Sequence, residues 1–117
     1  MRKAFTLNTC KTCQRIFDDL DPEANGCDIV NIKEQGIGAI DLDAMKAHAG
    51  SYEALFSRRA MKYRSMGLAD KKLSENDYRT LILGEYTFLK RPVFLFEDDV
   101  TAGSRKSEVE RARELLR

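Results

Sequence analysis

Apolar positions along the chain change their period twice. From Lys3 to Leu7 side chains alternate about a short predicted strand, with Phe5 and Leu7 on one face. Cys13, Ile16, Phe17 and Leu20 then recur at i, i+3, i+4 and i+7, predicting a helix with one buried stripe. Asn8 or Thr9 is placed to cap its free amides, and Asp21-Pro22 to end it. After a turn at Gly26, Cys27 to Ile32 reads as a second strand. Strand, helix and strand in this order form a βαβ unit, whose crossover is almost always right-handed.

From Ile40 to Gly84 the period is helical. Asp41 can cap a helix carrying Leu42, Met45 and Ala49, which Gly50 can close, and Tyr52 to Phe56 adds an apolar turn. Ala60 to Met66 ends at Gly67, and Ser74 with Asp77 opens a helix that buries Tyr78, Leu81 and Ile82 before Gly84. Pro92 then starts Val93 to Phe96, a continuous apolar run suited to a central strand. Glu97-Asp98-Asp99 reads as a hairpin turn into a short return strand. Ser104 or Ser107 is placed to cap a last helix, with Val109, Ala112 and Leu116 facing inward. Without repeats or linkers, the pattern predicts one α/β domain over residues 1–117, with a helical layer at about 40–84 inserted between strands.

Composition narrows the classes. Hydrophobic residues at 43% and charged residues at 33% are an ordinary globular balance and argue against disorder. Twenty basic and nineteen acidic residues nearly cancel, so no global field draws the chain to nucleic acid or anionic lipid. No apolar run approaches the roughly 20 residues that span a bilayer, and MRKAFTLN lacks the apolar core of a signal peptide, so the expected location is the cytoplasm. Reducing conditions there disfavour a structural disulfide framework for the three cysteines.

Cys10 and Cys13 share a helix face at i and i+3 and can bring their sulfurs together with little backbone movement. At the helix start the free amides favour an anion, and Lys11 adds positive charge, so Cys10 is the expected thiolate. Cys13, one turn deeper, suits a resolving thiol. Two other readings stand beside this one. The pair can be small buried hydrophobes, or half of a zinc site completed by Cys27 and His48, neither of which lies in a second paired motif. No phosphate loop suggests a nucleotide.

Four stretches in this order carry a family likeness. They are the N-terminal region from Phe5 to Thr12-Cys13 with Cys10 at the nucleophile position, LFSRRAMKYRSMGL at 55–68, KRPVFLF at 90–96 and GSRKSEV at 103–109. The chain resembles the arsenate reductase and Spx family, thioredoxin-like proteins with a helical insertion before the third strand. The resemblance implies a proline at Pro92 that is cis and faces the cysteine loop, and it implies Arg91 and Arg105 near the Cys10 sulfur. It also implies a third arginine from the stretch around Ser57 to Ala60, where Arg59 fits the Spx-like register and Arg58 lies beside the arsenate-reductase register. A guanidinium fork suits an oxyanion and also stabilises a thiolate. Where glutaredoxin-linked arsenate reductases have Gly-Thr-Ser-Arg after the nucleophile and a histidine before it, this chain has Lys11, Thr12, Cys13 and Gln14, and Leu7. The paired cysteines are similar to the Spx branch and to thiol reductases of the family.

Two functions follow from that resemblance. One is a thiol-dependent oxidoreductase acting on disulfides, glutathione adducts or oxyanions. It needs no bound cofactor and is reset by glutathione, thioredoxin or glutaredoxin. The other is an Spx-like redox-sensing regulator that binds RNA polymerase. Arg58, Arg59, Lys62, Arg64, Lys71 and Lys72, against the one acid Asp70, form either a solvated face, an anion-binding wall or a docking surface. They lack the interleaved aromatics that single-stranded nucleic acid requires.

Overall fold

The N-terminal alternation becomes strand β1, Lys3–Thr6, in a computed structural model that describes all residues, 1–117. Helix α1, Lys11–Leu20, follows, then strand β2, Asp28–Asn31, and a single-turn helix α2, Ile32–Gln35. Near the other end of the chain lie strands β3, Val93–Leu95, and β4, Val100–Ala102, and helix α6, Lys106–Leu116. The four strands make one sheet in the order β2-β1-β3-β4, parallel between β1 and β2 and antiparallel elsewhere. The apolar run after Pro92 is therefore a central strand, and the hairpin through Glu97-Asp98-Asp99 forms. Cys27 to Ile32 is trimmed at both ends, because Cys27 precedes the strand and Ile32 already begins α2, where the Asn31 side chain caps the Lys33 amide.

Contacts divide the chain into two compact units, residues 1–36 with 91–117 and residues 37–90. In the first, Ala4 and Phe94 on one sheet face pack with Ile16 and Leu20 of α1 and Ala112 and Leu116 of α6. Full burial of each large side chain among these, Phe94, Ile16, Leu20 and Leu116, contributes about 1.5–3 kcal/mol. Arg113 of α6 also pairs with Asp19 of α1 at 2.7 Å. Neither helix starts as the sequence predicts. Cys10 rather than Asn8 or Thr9 is the N-cap of α1, and Arg105 rather than Ser104 or Ser107 that of α6. At α6, Glu108 reaches back instead to accept from the Ala102 amide at 3.2 Å.

The second unit holds helices α3, Ala39–Ala49, α4, Met61–Ser65, and α5, Glu75–Gly84, joined by short 3-10 turns. Gly38, not Asp41, is the α3 N-cap, and Asp41 sits in the first turn, where its charge favours the free amides. Gly50 closes the helix at φ 94°, a conformation open to glycine without steric cost. Ser74 and Asp77 form the expected capping box of α5. Tyr78 and Ile82 are buried as expected, while Leu81 is half-buried. Phe56 centres this core, 4.9 Å from Tyr78 and 5.0 Å from Phe88 between ring centroids.

One side chain in the sheet opposes folding. Thr101 lies opposite Phe94, which lies opposite Ala4, so all three point to the helix-covered face. Thr101 is 2% exposed and its Oγ1 has no hydrogen-bond partner. The hydroxyl gives up water on folding and gains nothing for it. Thr101→Val, which keeps the branched shape, is expected to stabilise the protein by about 1 kcal/mol. An unchanged or lowered urea midpoint would contradict this.

Candidate active site

Sheet register gathers the chemistry at one end. Phe5 pairs with Val93, and Val93 with Ala102, so the loop leaving β1, the residues entering β3 and those leaving β4 lie together. The Gly103 amide donates to the Pro92 carbonyl at 2.9 Å, extending that end by one more rung. The Arg91–Pro92 peptide bond is cis, as the family likeness implied.

Leu7 to Cys10 must turn the chain from β1 into α1. The Cys10 amide donates to the Leu7 carbonyl at 2.9 Å, which uses Asn8 and Thr9 in the turn and leaves the N-cap position to Cys10. Gln14 ties the loop to the helix twice: its amide donates to the Cys10 carbonyl at 3.1 Å, and its side-chain Nε2 to the Asn8 carbonyl. Cys10 is held in extended geometry, φ −93° and ψ 109°, at the head of the helix.

The two thiols respond in opposite directions. Burial works against ionising Cys10, but the Cys13 amide, the Cys13 S–H and the Arg91 guanidinium outweigh it and hold its pKa below the ordinary thiol value. Cys13 is fully buried, and burial, followed by the hydrogen bond and charge of Cys10, pushes it up to about 11. The Leu7 amide and Thr6 hydroxyl pull Cys13 the other way. The pair therefore loses its first proton from Cys10 while Cys13 stays a thiol that donates to it.

The other expected site residues fall into three groups. Pro92 is buried beside Arg91, and Thr12 is half-buried in the first turn of α1. Lys11 and Arg105 are exposed, and the main support of the Cys10 anion is Cys13 and Arg91 rather than Lys11. Arg58 and Arg59 belong to the second unit, where Arg58 pairs with Glu53 at 2.7 Å and donates to the Tyr78 hydroxyl at 3.1 Å. No three His, Cys, Asp or Glu side chains converge to hold a metal. Cys27 packs in the core of the first unit and His48 is exposed on α3. Sequence reasoning missed Thr6 and Gln14. The signal for Thr6 was a polar residue on the Ala4 side of the strand, the side opposite Lys3 and Phe5.

Arg91→Met is expected to move the pH midpoint of Cys10 alkylation upward, because the adjacent charge that favours the anion is lost while burial remains. Iodoacetamide kinetics at pH 7 should slow several-fold, and an unchanged profile would remove Arg91 from this role.

Known proteins share this fold. The chain is 26% identical over 104 residues to the uncharacterized protein YusI of Bacillus subtilis, covering 86% of this chain and 88% of that one. The crystal structure of a possible arsenate reductase from Streptococcus mutans superposes with TM-score 0.75 at 26% identity, covering 91% and 92% of the two chains. An ArsC-family-related protein from Bacteroides fragilis gives TM-score 0.81 at 20% identity over 99% and 97%. The architecture is thus the thioredoxin-like α/β fold with a helical insertion between the second and third strands. No helix is long and apolar enough to cross a membrane. The family model described as ArsC family matches residues 5–112, from the cysteine loop through the proline-led strand to the last helix, and on that match the chain belongs to the ArsC family.

Proposed function

We propose that the chain is a thiol-dependent oxidoreductase in which Cys10 is the nucleophile and Cys13 the resolving thiol. The observation that carries this reading is the placement of a partly exposed Cys10 at the head of α1, one turn from the fully buried Cys13, where Cys13 and Arg91 favour the Cys10 anion while burial and Cys10 itself keep Cys13 protonated. Cys10 thiolate attacks one sulfur of a disulfide or glutathione adduct. A bond to Cys10 forms, the substrate S–S bond breaks, and the departing thiolate takes a proton from water. Cys13 then attacks Cys10, releasing the second thiol and leaving the Cys10–Cys13 disulfide. A thiol reductant of the glutathione, thioredoxin or glutaredoxin class supplies the two electrons that reopen it.

Arsenate enters as a candidate substrate through the name of the Streptococcus mutans relative. Arg91 and Arg105, with Lys11, Thr12 and Pro92, would form the rim that receives an oxyanion, and a guanidinium fork matches its geometry. The adjacent resolving thiol favours disulfide substrates, since it offers the first mixed disulfide an internal exit. Multiple-turnover assays on a glutathionylated peptide and on arsenate, each with a thiol reductant, test the proposal. Absence of turnover on both would defeat the catalytic reading.

A second reading, an Spx-like regulator, is favoured by one observation. Arg59, Arg64, Lys71 and Lys72 are exposed in the second unit, as are Met61 and Met66, basic and adaptable side chains of the kinds suited to an acidic partner such as an RNA polymerase subunit. Capture of that subunit by the oxidised but not the reduced protein, without turnover, would select it.

A further inference from the structure

The buried thiol of Cys13 has neighbours on both sides. Toward the loop it meets Cys10, and toward the strand it meets the Thr6 hydroxyl and the Leu7 amide. The placement follows from the fold. Ala4 and Thr6 alternate onto the same face of β1, the face covered by α1, and Cys13, Ile16 and Leu20 are the inward stripe of that helix. Thr6 against Cys13 is thus the uppermost rung of a strand–helix interface otherwise made of apolar contacts. Thr6 is 5% exposed and Cys13 0%, so water cannot solvate a charge on this sulfur.

A resolving thiol in such a place faces a problem. It must become an anion to attack, yet it is sealed from solvent. We propose that the Thr6 hydroxyl, together with the Leu7 amide, forms an anion-stabilising site for the Cys13 sulfur that acts only after Cys10 has been joined to substrate. Before that step Cys13 gives its hydrogen bond to the Cys10 thiolate, whose charge also opposes a second anion. Once Cys10 is in a mixed disulfide, that charge is gone. The donors on the strand side then remain to stabilise Cys13 as its proton leaves. Cys13 Sγ bonds to Cys10 Sγ, the Cys10–substrate S–S bond breaks, and the departing thiolate ends protonated as the free thiol. The order of events is built into the site: Cys13 cannot compete with Cys10 for the first attack, and becomes competent when that attack has occurred.

This inference rests on the Cys10–Cys13 reading and has its own experiment. The reduced protein is mixed with excess 5,5′-dithiobis(2-nitrobenzoate) in a stopped-flow instrument. A first phase of thionitrobenzoate release reports Cys10 attack, and a second reports expulsion by Cys13. In Thr6→Val, which keeps the side-chain shape but removes the donor, the ratio of the second rate to the first is expected to fall about tenfold, with the pH midpoint of the second phase moved upward. Thr6→Ser, which restores a hydroxyl, is expected to recover most of the ratio and the original midpoint. A ratio unchanged in Thr6→Val overturns the inference. So does equal slowing in the Val and Ser variants with no change in midpoint, since that is the mark of packing alone. If the wild-type protein shows no first phase, the parent reading has failed and this one falls with it, an outcome distinct from loss confined to the second phase.

Discussion

Cys10→Ser is expected to abolish disulfide cleavage, with a loss of about a thousandfold or more in rate. The thiolate is the reactive species, and a serine hydroxyl at this position has no neighbouring base to activate it. The donors around position 10 favour an anion that serine does not form near neutral pH. The same site predicts a pH signature in the unmodified protein. Because Cys10 lies below the ordinary thiol value, its alkylation rate should rise with pH through a midpoint lower than that of an unperturbed thiol in a denatured control. Cys13 should stay protonated until pH nears about 11. One equivalent of iodoacetamide at pH 7.5 should therefore label Cys10 almost alone, as peptide mass mapping would read. Equal labelling of the two would remove the electrostatic basis of the proposed function.

Cys13→Ser should produce a different failure. The serine hydroxyl still donates to the Cys10 sulfur, so the nucleophile stays activated and first attack continues. Resolution stops, and the protein accumulates as a Cys10 mixed disulfide visible in the intact mass. Turnover on a glutathionylated peptide should drop by roughly a hundredfold, with the remainder depending on external thiol, which must now do in a bimolecular step what Cys13 does within the molecule. A variant that turns over at the normal rate, with no adduct, would show that Cys13 does not resolve.

Much of this arrangement was legible in the sequence because periodic burial and punctuation agreed. Alternation at Lys3–Thr6, the Cys13-Ile16-Leu20 stripe and the apolar run after Pro92 each carry a period that packing enforces, and each became the element predicted. Helix starts were less legible. Asn8, Thr9, Ser104 and Ser107 all have side chains suited to capping, yet the turn geometry put Cys10 and Arg105 at the two N-caps. A cap is decided by where the chain must bend, which spacing alone does not show. The Cys10–Cys13 contact followed from i, i+3 geometry, whereas the source of the Cys10 stabilisation did not. Lys11 is adjacent in sequence but exposed, while Arg91 is distant in sequence and arrives through the pairing of β1 with β3. Thr6 was hidden for a related reason: its significance depends on which strand face the helix covers.

The third sulfur has an analytical use. Cys27 is sealed among Ile16, Leu20 and Phe96, and burial raises its pKa. Intact molecules should accordingly surrender no more than two titratable thiols, and a further equivalent should emerge as denaturant loosens the interior. One colorimetric count then gauges structural integrity and oxidation state in the same cuvette, and the burial of Cys27 keeps a stray partner away from the exchange between the other two.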